Sequence, residues 1–167
     1  NSHVWMSVPN AEAEVSNIAD ALIEIMPESK DIINANKEAY LKTLDALDSF
    51  IRTGLKDYEG DKIVTFHEAY AYFAKEYGLT VAATIESEDG AEPSTKELAK
   101  LSELIKDEKI KALFTEKQYK GTAANTLSKE TGASVYVLNP VTSGDMSLTA
   151  YQDIMSNNLS IIEEALR

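Results

Sequence analysis

The chain has 167 residues, 44% of them hydrophobic, and a formal net charge of -12. This is enough apolar material for one ordinary domain with a packed core, and it argues against disorder. The charge argues against nucleic acid or an anionic membrane surface as main partner, because both need clustered Lys and Arg, and the absence of cysteine excludes thiol catalysis, thiolate metal sites and disulfides.

No run of about 18 apolar residues is present, so no segment reads as a membrane span, and no signal peptide is recognisable. The opening NSHVWMS lacks an initiating Met and reads as part of a longer or processed protein. This leading segment carries His3 and the single tryptophan, Trp5. Pro9 suits the first turn of a helix, where its missing N–H costs nothing. Val15, Ile18, Leu22 and Ile25 then recur at helical spacing, and Pro27 ends that helix. Over 28–57, Ile33, Tyr40, Leu44, Leu47, Ile51 and Leu55 predict one long helix of roughly 40 Å at 1.5 Å per residue. That is longer than one small sheet needs for cover.

From residue 61 the pattern alternates between strand and helix. Strands are expected at 62–66, 80–85, 111–115 and 134–138. Helices are expected at 68–77, from Ser94, near 121–130 and from about 148 to 166. Gly78 suits a left-handed helix stop. Ser94 and Glu97 have capping-box spacing, and the acidic stretch ESEDGAEP before them reads as a loop. The fold class is α/β, a four-stranded parallel sheet flanked by helices with right-handed crossovers, preceded by the long helix.

Parallel strands share one carboxyl edge. The residues there are His67, Glu86, Glu116, and Asn139 with Asp145. Imidazole with carboxylate oxygen is a donor set for first-row divalent metals, zinc above all. Each residue also has a plainer role. His67 can cap or hydrogen-bond at a strand end, and His3 can be an exposed residue near a chain start. Glu116 can favour the N-terminus of the next helix, Asp145 can be a turn residue, and Glu86 can be solvated in its acidic loop. No G-x-S-x-G, P-loop, G-x-G-x-x-G or H-E-x-x-H motif is present.

Taken together, several segments resemble the metal-binding solute receptors of ABC uptake systems, of the zinc and manganese type. HVWMS at 3–7 resembles their H-x-W segment, and TFHEAYAYFAKEYGL resembles their second histidine block. FTEKQYKGTAANTLSKETGASVYVLNP resembles their F-x-E to L-D-P block, and YQDIMSNNL their final helix. The resemblance implies a receptor of two α/β lobes joined by a long rigid helix, with the metal between them. Residues 1–27 would be the tail of a first lobe, 28–57 the interlobe helix and 58–167 the C-terminal lobe. His3 and His67 match metal-binding histidines of the family, and a further histidine would come from the first lobe. Asn139 stands where many relatives have Asp, so Asp145 is the substitute candidate. Glu116 matches a family glutamate that either ligates or supports the cleft.

The implied cargo is Zn2+, with Mn2+ as the alternative. The implied partner is an ABC transporter permease, and the location is extracytoplasmic, with membrane attachment only through an anchor this chain does not contain. No enzyme activity is expected. The rival readings are a small hydrolytic or transferase domain using His67 and Glu116 as an acid–base pair, and a surface adhesion module.

Overall fold

Side-chain alternation along the strands decides the layers. The computed structural model describes residues 1–86, 93–119 and 121–167. Most of the predicted acidic loop, 87–92, lies outside the described residues. The strands are β1 (Lys62–Thr65), β2 (Thr80–Thr84), β3 (Ala112–Glu116) and β4 (Ser134–Leu138). All pairings are parallel, in the order β2-β1-β3-β4. Ile63, Ala112 and Phe114 face one core, and Val64 and Leu113 face the other, as a period of two requires. Every residue of β3 is buried, because a central strand of a parallel sheet is covered on both faces.

Among the described residues six α-helices provide the cover: α1 (Val8–Ile25), α2 (Lys30–Leu55), α3 (Ala71–Tyr77), α4 (Thr95–Asp107), α5 (Thr122–Thr131) and α6 (Ala150–Leu166). Leu44, Ile51 and Leu55 of α2, Phe73 and Tyr77 of α3, and Met155, Leu159 and Ile162 of α6 pack on one face of the sheet. Ile105 of α4 and Ala124 and Leu127 of α5 pack on the other. The capping box expected at Ser94 and Glu97 is formed.

Three expectations are adjusted. The long helix is shorter than 28–57, because 3-10 turns at Pro27–Ser29 and Lys56–Tyr58 close its ends. The helix after His67 begins with a 3-10 turn, Glu68–Tyr70, before α3. The apolar stripe of α1 is largely open, with Ile18 60% and Ile25 76% exposed. The buried residues of α1 are Val8 at its start and the small residues Ala11 and Ala19. Ile18 and Leu22 instead line an apolar groove with Ile33 and Tyr40 of α2. Only the second half of α2 is buried against the sheet layer, so α1 and the first half of α2 extend past it.

Gly78 ends α3 at φ +80, and its N–H donates to the Ala74 carbonyl. A Cβ there would meet Glu59 Cγ at 3.1 Å. A left-handed backbone costs an ordinary L-residue about 1–2 kcal/mol, so Gly78→Ala is expected to lower the unfolding free energy by about that amount. Urea titration followed by circular dichroism checks it, and an unchanged midpoint would contradict this role for Gly78.

Candidate metal centre

The strand order reverses direction between β1 and β3. The crossover after β1 runs through α3 on one face and that after β3 through α5 on the other, which opens a crevice at the carboxyl edge. His67 directly follows β1 and Glu116 ends β3, so both sit at that crevice. Thr65 Oγ1 donates to the His67 carbonyl at 2.9 Å. Phe66 stacks on Tyr119, with ring centroids 4.0 Å apart, and the Tyr119 ring lies 5.8 Å from that of His67.

His3 reaches the same place from the leading segment. A short turn, Val4–Met6, follows it, and Met6, Ser7 and Val8 are buried beneath. Ser7 caps α1 and donates to Glu76 at 3.1 Å. The His3 and His67 rings meet edge to face, with centroids 5.0 Å apart. Their Nε2 atoms are 3.4 Å apart.

The other ring nitrogens decide what those two Nε2 atoms carry. Glu116, 1% exposed, places Oε1 against Nδ1 of His67, and Gln118 donates to its Oε2 at 2.5 Å. A carboxylate can only accept, so His67 Nδ1 carries the hydrogen and its Nε2 presents a lone pair. His3 Nδ1 lies 3.0 Å from Asn1 Oδ1, and that oxygen also accepts the His3 backbone N–H. This arrangement likewise assigns the hydrogen to Nδ1 and leaves a lone pair on Nε2 of His3. Two lone pairs therefore converge, and they repel unless a proton or cation lies between them.

The surroundings treat the two rings differently. Burial holds His3 below its ordinary pKa, and the neighbouring His67 adds to this. The hydrogen bond to Glu116 holds His67 above its ordinary value; burial opposes that, and the charges of Glu116, Glu86 and Glu68 reinforce it. Glu86 is half-buried, and its backbone N–H donates to the Phe66 carbonyl at 2.7 Å.

Of the predicted site residues, the structure thus brings His3, His67 and Glu116 together, with Glu116 behind His67. Asp145 lies in an exposed loop, and among the described residues no three His, Asp or Glu side chains assemble a metal cluster. Asn139 is engaged within its loop, donating to the Ser143 carbonyl at 2.8 Å and accepting from the Val141 N–H at 2.9 Å. Sequence reasoning placed Glu86 at the carboxyl edge from its position directly after a strand, with solvation as the plainer role, and passed over Gln118, for which there was no signal.

The family described as "Zinc-uptake complex component A periplasmic" (ZnuA) matches residues 1–165. The chain is 34% identical to the high-affinity zinc uptake system protein ZnuA of Bacillus subtilis, over 98% of this chain and 53% of the relative. It is 36% identical to the zinc-binding lipoprotein AdcA of Streptococcus pneumoniae, over 97% of this chain and 33% of the relative. The chain thus spans about half or less of the length of these curated relatives. Among solved structures it is similar to the solute-binding protein FpvC of Pseudomonas aeruginosa in complex with Mn2+, with a TM-score of 0.88 and 30% identity over 99% of this chain and 63% of that one. The family match over residues 1–165, together with 34–36% identity over nearly the whole chain, establishes that this chain belongs to the ZnuA family of metal-binding transport receptors.

Proposed function

We propose that the chain binds a divalent metal ion, foremost Zn2+, as cargo between His3 and His67, for delivery to an ABC-type permease outside the cytoplasm. One observation carries this reading. Zinc–nitrogen bonds of about 2.0–2.1 Å in a tetrahedral site put two ligand nitrogens about 3.3 Å apart. The two Nε2 atoms stand at 3.4 Å, each with its other ring nitrogen already hydrogen-bonded. Glu116 acts behind His67, fixing the tautomer and raising the basicity of the ligand nitrogen, as carboxylates commonly do for metal-bound histidine.

Two imidazoles do not fill a four-coordinate site. The family resemblance supplies a further histidine from a first lobe, and Asp145 is the candidate on this chain if its loop folds inward. On the same reading, 1–27 is the tail of the first lobe, 28–57 the interlobe helix and 58–167 the C-terminal lobe. The extension of α1 and the first half of α2 past the sheet supports this division. Mn2+ is the alternative cargo, since imidazole suits several metals and affinity alone does not select among them. Loading and release need no bond-making on a substrate, so the His67–Glu116 pair is read as ligand and support, not as an acid–base dyad.

Isothermal titration of the chain with Zn2+ is expected to show binding that His67→Ala abolishes. Unchanged affinity in that variant would contradict the assignment.

The metal needs both imidazoles unprotonated, so protons compete with it and affinity falls as the pH drops through the raised pKa of His67. In Glu116→Gln that pKa falls toward or below the ordinary histidine value, so the loss of affinity moves to lower pH. The plateau affinity at higher pH drops by about 10- to 100-fold. Zinc titrations across pH, with the His67 ring followed by NMR, check both, and an unmoved profile would contradict the role given to Glu116.

A further inference from the structure

His3 belongs to neither the sheet nor its crossovers, so the strands alone do not place its ring. Two hydrogen bonds reach across almost the whole chain to the residue two places further on. The Trp5 indole N–H donates to the Pro140 carbonyl at 2.9 Å. The Tyr151 hydroxyl donates to the Trp5 carbonyl at 2.7 Å. The loop after β4 thus holds the Trp5 side chain, and the first turn of α6 holds its backbone.

Pro140 is itself secured. Asn158 of α6, 0% exposed, accepts from the Asn139 N–H at 3.0 Å and donates to the Asn139 carbonyl at 2.7 Å. It pairs with that backbone much as a neighbouring strand would. A buried amide bonded at both its oxygen and its nitrogen rigidifies what it binds. The path from α6 through Asn139 and Pro140 to Trp5 is therefore stiff, and the Trp5 ring ends 5.3 Å from that of His3.

We propose that Trp5 and Tyr151 are positioning residues that hold the His3 imidazole opposite His67, so that α6 and the loop after β4 set the spacing of the two ligand nitrogens. The consequence for zinc rests on the function proposed above; the placement of the ring does not. Metal sites tolerate only about 0.5 Å of error in their ligands, so a loosened leading segment weakens binding without altering a ligand. The buried Met6 and Val8 and the Ser7–Glu76 bond anchor the chain on the far side of Trp5, and they are the competing source of the same order.

The test uses the 167-residue chain as wild type, Tyr151→Phe and Trp5→Phe, each of which removes one donor and keeps an aromatic ring. In metal-free protein, nuclear Overhauser contacts between the His3 and His67 rings are expected in the wild type and weakened in both variants. Competition with a chromophoric chelator is expected to show Zn2+ affinity about tenfold lower in Tyr151→Phe. The same substitution placed in His3→Ala is expected to change affinity less than about twofold, because it acts through a ligand already gone.

Unchanged ring contacts, with only the melting temperature lowered, would overturn the proposal. A full additional loss of affinity in the His3→Ala background would overturn it too. If Tyr151→Phe does not fold, Trp5→Phe decides on the same measurements. A wild type that shows the ring contacts yet binds no zinc would sink the metal reading, and the ring contacts in the variants would still decide the positioning.

Discussion

Two imidazole nitrogens, each with its lone pair turned toward the other at 3.4 Å, form the constraint on which the rest of this chain's arrangement bears. Such a pair is unfavourable in isolation, because the lone pairs repel and both rings are partly withdrawn from water. It becomes favourable when a cation lies between them. The groups behind the rings hold them in that state: Asn1 beside Nδ1 of His3 and Glu116 beside Nδ1 of His67. The net charge of -12 adds a long-range field of the right sign for a cationic cargo.

The fold supplies each member from a different source. β1 delivers His67, and β3 delivers Glu116 from the adjoining strand across the point where the sheet reverses. A buried carboxylate is costly unless paired and hydrogen-bonded. Here His67 and Gln118 take its two oxygens, so one set of contacts both relieves Glu116 and orients the His67 ring. His3 arrives from outside the sheet, held through Trp5 by groups that belong to the end of the chain. The site is thus a convergence of three distant parts of the polypeptide on one crevice.

Much of this was legible in the sequence, and the reasons are local. The short apolar run IVTF marked the first strand, Gly78 marked a helix stop, and Ser94 with Glu97 marked a helix start. His67 stood out because it closed a strand in a parallel pattern. What was not legible depends on tertiary placement. Periodicity showed that α1 has an apolar stripe, but not that Ile18 and Ile25 would lie open. Asn139 read only as a departure from the Asp of many relatives, because its loop closure onto Ser143 leaves no trace in spacing. The Tyr151–Trp5 bond joins residues 146 positions apart, a separation no local pattern encodes. Glu116 could be assigned to the carboxyl edge, whereas its place behind His67 follows only from the pairing of β1 with β3.

The most direct measurement is an anomalous-scattering map at the zinc edge from crystals of this chain grown with Zn2+. The account predicts a peak about 2.0–2.1 Å from Nε2 of both His3 and His67, with Glu116 still on the Nδ1 side of His67. A peak elsewhere on the molecule, with nothing between the two rings, would contradict it.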